Sequence, residues 1–253
     1  MNTITLNREK IHAGNLLLVN AEYPLYSASE KNLIPADCGY PSILMKRDAA
    51  NVLQLVLEKI SAGNNIVPVS GYRSSAEQTN IYNTSLKESG ENYTRKFVAL
   101  PYHSEHQTGL AIDLGLKQEK IDFICPNFPY EGICDEFRKA APHYGFIERY
   151  PKDKETITGI AHEPWHFRYV GYPHSEIMQE YSFTLEEYID FIKLYPYEGK
   201  HLKTCKNGKS VKVFYASAKE NDVTITLPEK TVYQISGNNA DGFIVTLWRN
   251  DNE

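Results

Sequence analysis

The chain has 253 residues, of which 27 are basic and 32 acidic, so its formal net charge is −5 at pH 7. A content of 42% hydrophobic and 23% charged residues is typical of a folded globular protein and excludes a disordered chain. The acidic balance argues against a nucleic-acid-binding protein, which needs a clustered basic excess.

The N-terminal region predicts neither a secretory signal nor a membrane anchor. Its apolar run at residues 16–19 ends at Asn20 and is far shorter than the apolar region of a signal peptide. No stretch approaches the roughly 18 apolar residues of a membrane-spanning helix. We therefore expect a cytoplasmic protein that binds no membrane. In that reducing compartment the four cysteines should remain thiols, with a Cys125–Cys134 disulfide as the open alternative; they are Cys38, Cys125, Cys134 and Cys205.

The first 197 residues mix helical and strand patterns. Residues 1–45 carry many turn signals and predict an irregular entry segment. Apolar side chains recur at three- and four-residue steps over 46–61, which predicts an amphipathic helix stopped by Gly63. The remaining predicted elements are a strand at 66–69, a helix at 74–89, a central strand at 110–116, a helical pattern at 132–145, strand–turn–strand at 157–170, and a helix that follows a capping box of Thr184 and Glu187.

After residue 197 the pattern becomes all-β. Four short strand-like runs, separated by turn signals such as NG and GNNADG, fill about 55 residues and predict hairpins or a meander. We therefore predict an α+β fold with a catalytic domain at 1–197 and a small β-rich module at 198–253. A structural role is favoured for the module, with a dimerisation surface or a small binding module as alternatives.

Two short segments concentrate metal-ligating side chains, SEHQTGLAID at 104–113 and EPWH at 163–166. Together His106, Asp113 and His166 offer two imidazoles and a carboxylate, a set that leaves a fourth zinc position open for water. Zinc lowers the pKa of bound water towards 7. A turn or strand at Pro164 could aim the carboxylate of Glu163 at that water as a general base.

Structural alternatives exist for each of these residues. A single histidine is usually a surface or hydrogen-bonded residue, and His103 or His162 could replace a predicted ligand. Asp113 is harder to explain structurally, because a carboxylate inside an apolar strand is costly to bury without a metal, a cation or several donors. Trp165 is by default a core aromatic, with the wall of the site as the second interpretation.

These residues carry a resemblance to a known family. SEHQTGLAID resembles the SxHxxGxAxD motif of the zinc D,D-peptidases of vancomycin resistance, EPWH resembles their ExWH motif, and SGYRS at 70–74 resembles their arginine turn. The likeness extends over most of residues 20–195, and it is strongest to the bifunctional VanXY members. It implies a mixed zinc-peptidase core with an antiparallel sheet and flanking helices, and one catalytic Zn²⁺ held by His106, Asp113 and His166.

The resemblance also implies individual roles. Glu163 matches the catalytic base, and Arg73 matches the arginine that polarises the scissile carbonyl, although an arginine that ties down a loop is the structural alternative. Ser104 and Gln78 match positions that contact the substrate, with an exposed helical glutamine as the alternative for Gln78. Trp165 is included with them as a substrate-binding candidate.

The function implied is hydrolysis of D-Ala-D-Ala and removal of the terminal D-Ala from UDP-MurNAc-pentapeptide, which would deplete the target of vancomycin. The alternatives are a carboxypeptidase restricted to longer stem peptides or cutting an L,D bond, and a non-catalytic zinc-containing protein that binds cell-wall peptides. The presence of Glu163 and Arg73 argues against the last, since a purely structural zinc site is normally closed by a fourth protein ligand.

Overall fold

The computed structural model describes residues 1–26, 30–206 and 208–249. Over these ranges the helices are α1 (Arg47–Lys59), α2 (Ser75–Ser89), α3 (Glu91–Phe97), α4 (Gly132–Ala140), α5 (Glu155–Thr158), α6 (His174–Tyr181) and α7 (Leu185–Lys193). The strands are β1 (Asn2–Leu6), β2 (Leu33–Pro35), β3 (Leu44–Lys46), β4 (Ile66–Ser70), β5 (Ala111–Leu116), β6 (Phe146–Tyr150), β7 (Glu163–Tyr169), β8 (Leu202–Lys206), β9 (Lys209–Ser217), β10 (Val223–Leu227), β11 (Val232–Gly237) and β12 (Gly242–Arg249).

The chain divides into two compact units, Val19–Thr184 and the combination of Met1–Leu18 with Leu185–Glu253. The first unit is a continuous stretch of the chain, whereas the second unit combines an N-terminal segment with a C-terminal segment. A division of function at residue 197 stays a prediction. The mixture of helices with antiparallel sheets confirms the predicted α+β class.

A four-stranded antiparallel sheet in the order β4-β5-β7-β6 organises the first unit. Helices α1 and α4 contribute to the buried core that covers one face of this sheet, where Ile112, Leu114 and Phe167 also lie. Because side chains alternate along a strand, Asp113 and His166 project from the opposite face. The central strand predicted at 110–116 is β5, and it is buried because the core covers one face and the polar site covers the other.

Most predicted elements of this unit are confirmed, with two differences. The pattern at 132–145 forms α4 followed by a separate 3₁₀ helix, Ala141–Tyr144, with Pro142 at its first turn. The prediction of strand–turn–strand at 157–170 is wrong in its first half. The residues predicted as the first strand include the end of the short helix α5, which is capped by Gly159 with a φ of +75°. In this region β7 is the single strand.

In the second unit the four predicted strands are β9 to β12, but a simple meander is wrong. One sheet has the order β11-β12-β9-β8, while β10 pairs with β1 from the N-terminus in a two-stranded sheet. The prediction that residues 1–45 are irregular is therefore wrong for β1 and for the β2–β3 hairpin. Helix α7 begins at Leu185, directly after Thr184 of the predicted capping box.

Two further sequence predictions concern membranes and cysteines. In the part of the chain that the structure describes, no helix is long and apolar enough to cross a membrane. The four cysteines are free in the structure; Cys134 is buried in the core of the first unit, and Cys125 lies beside the Tyr93 hydroxyl at 3.4 Å.

Candidate metal centre and active site

The predicted ligands His106, Asp113 and His166 meet on one face of the four-stranded sheet. Asp113 and His166 are cross-strand partners on β5 and β7, and His106 lies in the 3₁₀ helix Glu105–Thr108 that leads into β5. Gly109 ends that turn with φ +72°, and a Cβ there would stand 2.9 Å from Leu33. This left-handed backbone conformation favours glycine at the position that connects the turn of His106 to the strand.

The orientation of each imidazole determines which ring nitrogen faces the other ligand atoms. His106 Nδ1 donates to the Gly71 carbonyl at 2.7 Å, which leaves Nε2 facing Asp113 Oδ2 at 3.1 Å. His166 Nδ1 lies 2.8 Å from Asp113 Oδ1. Tetrahedral zinc with bonds of about 2.0–2.1 Å places neighbouring ligand atoms roughly 3.3 Å apart. With one donor atom from each residue within 4.8 Å of the others, all buried, the set fits such an ion.

The two histidines have opposite pKa shifts because their neighbours differ. Burial and the adjacent Arg73 guanidinium lower the pKa of His106 to about 4, so its imidazole is neutral at pH 7. Burial alone would also lower the pKa of His166, but the neighbouring carboxylates, with Asp113 first among them, raise it to about 9. A cation that binds at His166 therefore has to displace a proton at neutral pH.

Glu163 reaches the same cavity because the strand is irregular. Residues three apart on a regular strand point to opposite faces, but the β6–β7 register shifts between Glu148 and Tyr150. Glu163 Oε2 consequently lies 3.9 Å from His166 Nδ1. Burial raises the pKa of Glu163 to about 8, as expected for a carboxyl group removed from water.

Arg73 places its guanidinium against two of the three candidate ligands. Its Nη2 donates to Asp113 Oδ2 at 3.1 Å and to His106 Nε2 at 3.2 Å. Its Nε donates to Ser70 Oγ at 2.9 Å and its Nη1 to Gln78 Oε1 at 3.2 Å. These partners are side chains at the site, so the guanidinium does more than tie a loop to backbone carbonyls.

The other predicted residues lie around this group. Gln78 is 1% exposed, so the alternative of an exposed helical glutamine is wrong; it accepts from Arg73 and donates to the Ala99 carbonyl. Ser104 and Trp165 are buried and line a cavity together with the ligands, Glu163 and Arg73; its empty space, including the part open to solvent, is about 490 Å³. Trp165 also packs in the hydrophobic core, so it is both a core aromatic residue and part of the cavity wall.

The two histidines considered as substitute ligands have other partners. His103 Nδ1 bonds the Asn20 carbonyl at 2.7 Å, and His162 Nε2 bonds the Tyr130 hydroxyl at 2.7 Å. Neither belongs to the group of close ligand atoms, which supports the original choice of His106 and His166.

Sequence reasoning missed several residues at this site. Tyr150 stacks on His166 with ring centroids 4.9 Å apart, and Phe123, which is 47% exposed, lines the cavity near Arg73. Glu105, inside the first motif, is buried against Arg149 and Arg168. Burial alone would raise the pKa of Glu105, but the two guanidinium groups hold it well below its usual range. Glu105, Arg149 and Arg168 are far apart in the sequence, so no local pattern predicted that they form this cluster.

Comparison with known proteins identifies the family. The model of the VanY family, described as D-alanyl-D-alanine carboxypeptidase, matches residues 42–172, more than half of the chain. The chain belongs to the VanY family. The matched residues include Arg73, both motifs and all three candidate ligands, so the resemblance based on these motifs is confirmed.

Individual members of the VanY family extend the match. The bifunctional D-Ala-D-Ala dipeptidase and D-Ala-D-Ala carboxypeptidase VanXYC of Enterococcus gallinarum is 45% identical over 71% of this chain and 95% of its own length. The D,D-dipeptidase VanXYg, whose crystal structure was solved in complex with a D-Ala-D-Ala phosphinate analogue, has 64% sequence identity to this chain. The two structures superpose with a TM-score of 0.96 over 98% of this chain and 99% of VanXYg. A VanY D,D-pentapeptidase in complex with Zn(II) is 28% identical over 69% of this chain and 98% of its own, with a TM-score of 0.55.

Proposed function

We propose that this VanY-family protein is a zinc-dependent D,D-peptidase that hydrolyses D-Ala-D-Ala and removes the terminal D-Ala from UDP-MurNAc-pentapeptide. The observation that carries the proposal is the buried group of His106, Asp113 and His166, with the Glu163 carboxylate 3.9 Å from His166 Nδ1. The names of the relatives support the substrate class. Loss of these termini would remove the target of vancomycin, and a nucleotide-linked substrate corresponds to a cytoplasmic enzyme.

The proposed chemistry divides between the metal and the chain. A zinc ion held by His106, Asp113 and His166 supplies Lewis acidity and lowers the pKa of water when bound. Glu163 removes a proton from the attacking water and later delivers it to the amine nitrogen of the departing D-Ala. Ser104 and Trp165 contact the substrate in the same cavity.

Arg73 is proposed to stabilise the negative charge that develops on the scissile carbonyl oxygen. Ser70 and Gln78 hold Nε and Nη1, so the guanidinium is fixed before the substrate arrives. We expect Arg73→Lys to reduce kcat by about 10²- to 10³-fold, because an ammonium group cannot keep all these contacts at once. Steady-state kinetics with D-Ala-D-Ala should show this with a smaller change in KM. A kcat within threefold of wild type would refute the role.

A second cavity supports the action on longer peptides. This space of about 1000 Å³, open to solvent, shares four lining residues with the metal-site cavity, so the two lie side by side. Ala21, Arg95 and His103 are among its other lining residues. A dipeptide needs only the cavity at the metal, whereas the part of a pentapeptide that precedes D-Ala-D-Ala needs adjoining space.

Filling the second cavity should therefore separate the two activities. Ala21 is exposed at its edge, so Ala21→Trp should leave the fold intact. We expect kcat/KM for UDP-MurNAc-pentapeptide to fall about tenfold or more, as for other overpacked sites, with the D-Ala-D-Ala value within about twofold of wild type. Asn51→Trp on α1 adds the same indole at an exposed position that lines neither of these two cavities and should change neither value. Equal effects of Ala21→Trp on both substrates would contradict this use of the cavity.

The proposed function itself is tested by measuring D-alanine release from D-Ala-D-Ala and UDP-MurNAc-pentapeptide in parallel with zinc-loaded protein. Release from both supports the bifunctional proposal. Release from the pentapeptide alone would leave a carboxypeptidase restricted to longer peptides. If the zinc-loaded protein released no D-alanine from either substrate, the proposed hydrolysis would be refuted and the non-catalytic alternative would be favoured.

A further inference from the structure

A buried ionic cluster lies directly behind His166. Glu105 is 1% exposed and Arg149 and Arg168 are 0% exposed, so the cluster is removed from solvent. Both guanidinium groups contact the same oxygen of Glu105. Arg149 Nε donates to Oε1 at 2.8 Å, and Arg168 Nη1 pairs with Oε1 at 2.8 Å. These contacts fix the carboxylate in one orientation.

The other oxygen of Glu105 points towards the metal ligand. Within the described residues Glu105 Oε2 is buried and has no hydrogen-bond partner, and the same is true of His166 Nε2. The two atoms face each other at 3.6 Å. Leaving a buried acceptor and a buried donor unpaired is costly, so this arrangement calls for an explanation. A hydrogen bond with an N–H···O distance of about 3.2 Å or less needs the two atoms to approach by roughly 0.4 Å.

Metal binding at His166 would explain why Glu105 Oε2 and His166 Nε2 face each other. His166 Nδ1 faces Asp113 and is the nitrogen on the metal side of the ring. When a neutral imidazole binds a cation through Nδ1, its proton must be on Nε2, and a ligating histidine usually donates that proton to a carboxylate or carbonyl. Glu105 Oε2 is the acceptor that the fold provides, and Tyr150 packs on the ring from the side.

We propose that Glu105 is a positioning residue whose Oε2 accepts the Nε2 proton of metal-bound His166, with Arg149 and Arg168 anchoring the carboxylate for this task. The inference rests on the proposed metal binding but not on the identity of the peptide substrate. It differs from a purely structural role, in which Glu105 would only neutralise two buried arginines and have no effect on the metal.

The test compares Glu105→Gln with Glu148→Gln. Glutamine keeps the size of the side chain, but if its oxygen stays on the arginines its NH₂ group meets His166 Nε2, donor against donor. Glu148, on the neighbouring strand β6, is a partly buried carboxylate with 12% of its side chain exposed. It pairs with Arg138 of α4, and its replacement serves as the control for loss of an arginine partner. Thermal unfolding of the metal-free proteins checks that both variants fold.

Zinc affinity, measured by competition with a chromogenic chelator, is the readout. We expect Glu105→Gln to weaken zinc binding by about 10- to 100-fold and Glu148→Gln to leave it within about twofold. Folded Glu105→Gln that binds zinc as tightly as wild type would overturn the inference. If the wild type binds no zinc at all, the proposed function fails first, which distinguishes the two failures.

A second measurement needs no variant. Nitrogen-15 NMR of the zinc-loaded wild-type protein, with labelled histidine, reports which ring nitrogen of His166 carries the proton. We expect a slowly exchanging proton on Nε2, with Nδ1 bound to the metal. A proton on Nδ1, or an Nε2 proton that exchanges freely with water, would overturn the inference even if Glu105→Gln failed to fold.

Discussion

Replacing Glu163 with glutamine should reduce kcat for D-Ala-D-Ala by about 10²- to 10⁴-fold while the protein still binds zinc with wild-type affinity. The carboxylate is buried in the cavity and lies 3.9 Å from His166 Nδ1, but it is outside the group of three ligand atoms that lie closest to one another. Glutamine preserves the shape of the side chain and removes its ability to take a proton, so catalysis should fail and metal binding should not.

The control for this prediction is Glu155→Gln. Glu155 is an exposed carboxylate on α5, eight residues before Glu163, and it does not line the cavity. Its replacement should leave kcat unchanged. Turnover by Glu163→Gln above one tenth of the wild-type rate would contradict the role of Glu163 as the base. Loss of zinc from that variant would instead mean that Glu163 is a ligand.

Replacing a metal ligand should differ from replacing Glu163, because the variant should lose zinc and should lose turnover as a consequence. We expect Asp113→Asn and His106→Ala to weaken zinc binding by more than about 100-fold, the upper end of the effect of removing a supporting partner. Asparagine is the sharper test, because it keeps the size of the side chain and removes the negative charge that faces both imidazoles.

Zinc content after dialysis, measured by elemental analysis, tests this prediction. His103→Ala provides the matched control, because His103 lies near the site and bonds the Asn20 carbonyl, outside the ligand group. It should retain zinc. An Asp113→Asn protein with undiminished zinc, or a His103→Ala protein without zinc, would show that the ligand assignment is wrong.

The ligand group could be predicted from sequence for a specific physical reason. Asp113 stands in an apolar run, and a carboxylate placed there needs strong partners when the strand is buried. The structure supplies those partners as His106, His166 and Arg73. The prediction of Asp113 depended on local sequence alone, because the aspartate and the strand that buries it belong to the same ten-residue segment. His166 lies 53 residues away, and its selection depended on the second motif, EPWH.

The geometry of other features depends on long-range pairing and could not be predicted, although Glu163 itself was predicted as the base from its motif. Glu163 and His166 share a face only because the β6–β7 register shifts, and no local pattern encodes that shift. Glu105 is buried by two arginines from later strands. Strand β1 pairs with β10 near the other end of the chain, so its isolated sequence gave no partner to propose. The helix α5 was missed because its four residues, Glu155–Thr158, are too few to show a helical period.

We propose that hydrolysis of D-Ala-D-Ala by this protein depends on a metal held by His106, Asp113 and His166. The most direct measurement is D-alanine release by the same preparation before metal removal, after exhaustive chelation and after addition of zinc. We expect release at the start, none after chelation, and recovery with zinc but not in Asp113→Asn. Release that persists in protein shown to be free of metal would contradict the account, and so would zinc-loaded protein that releases no D-alanine.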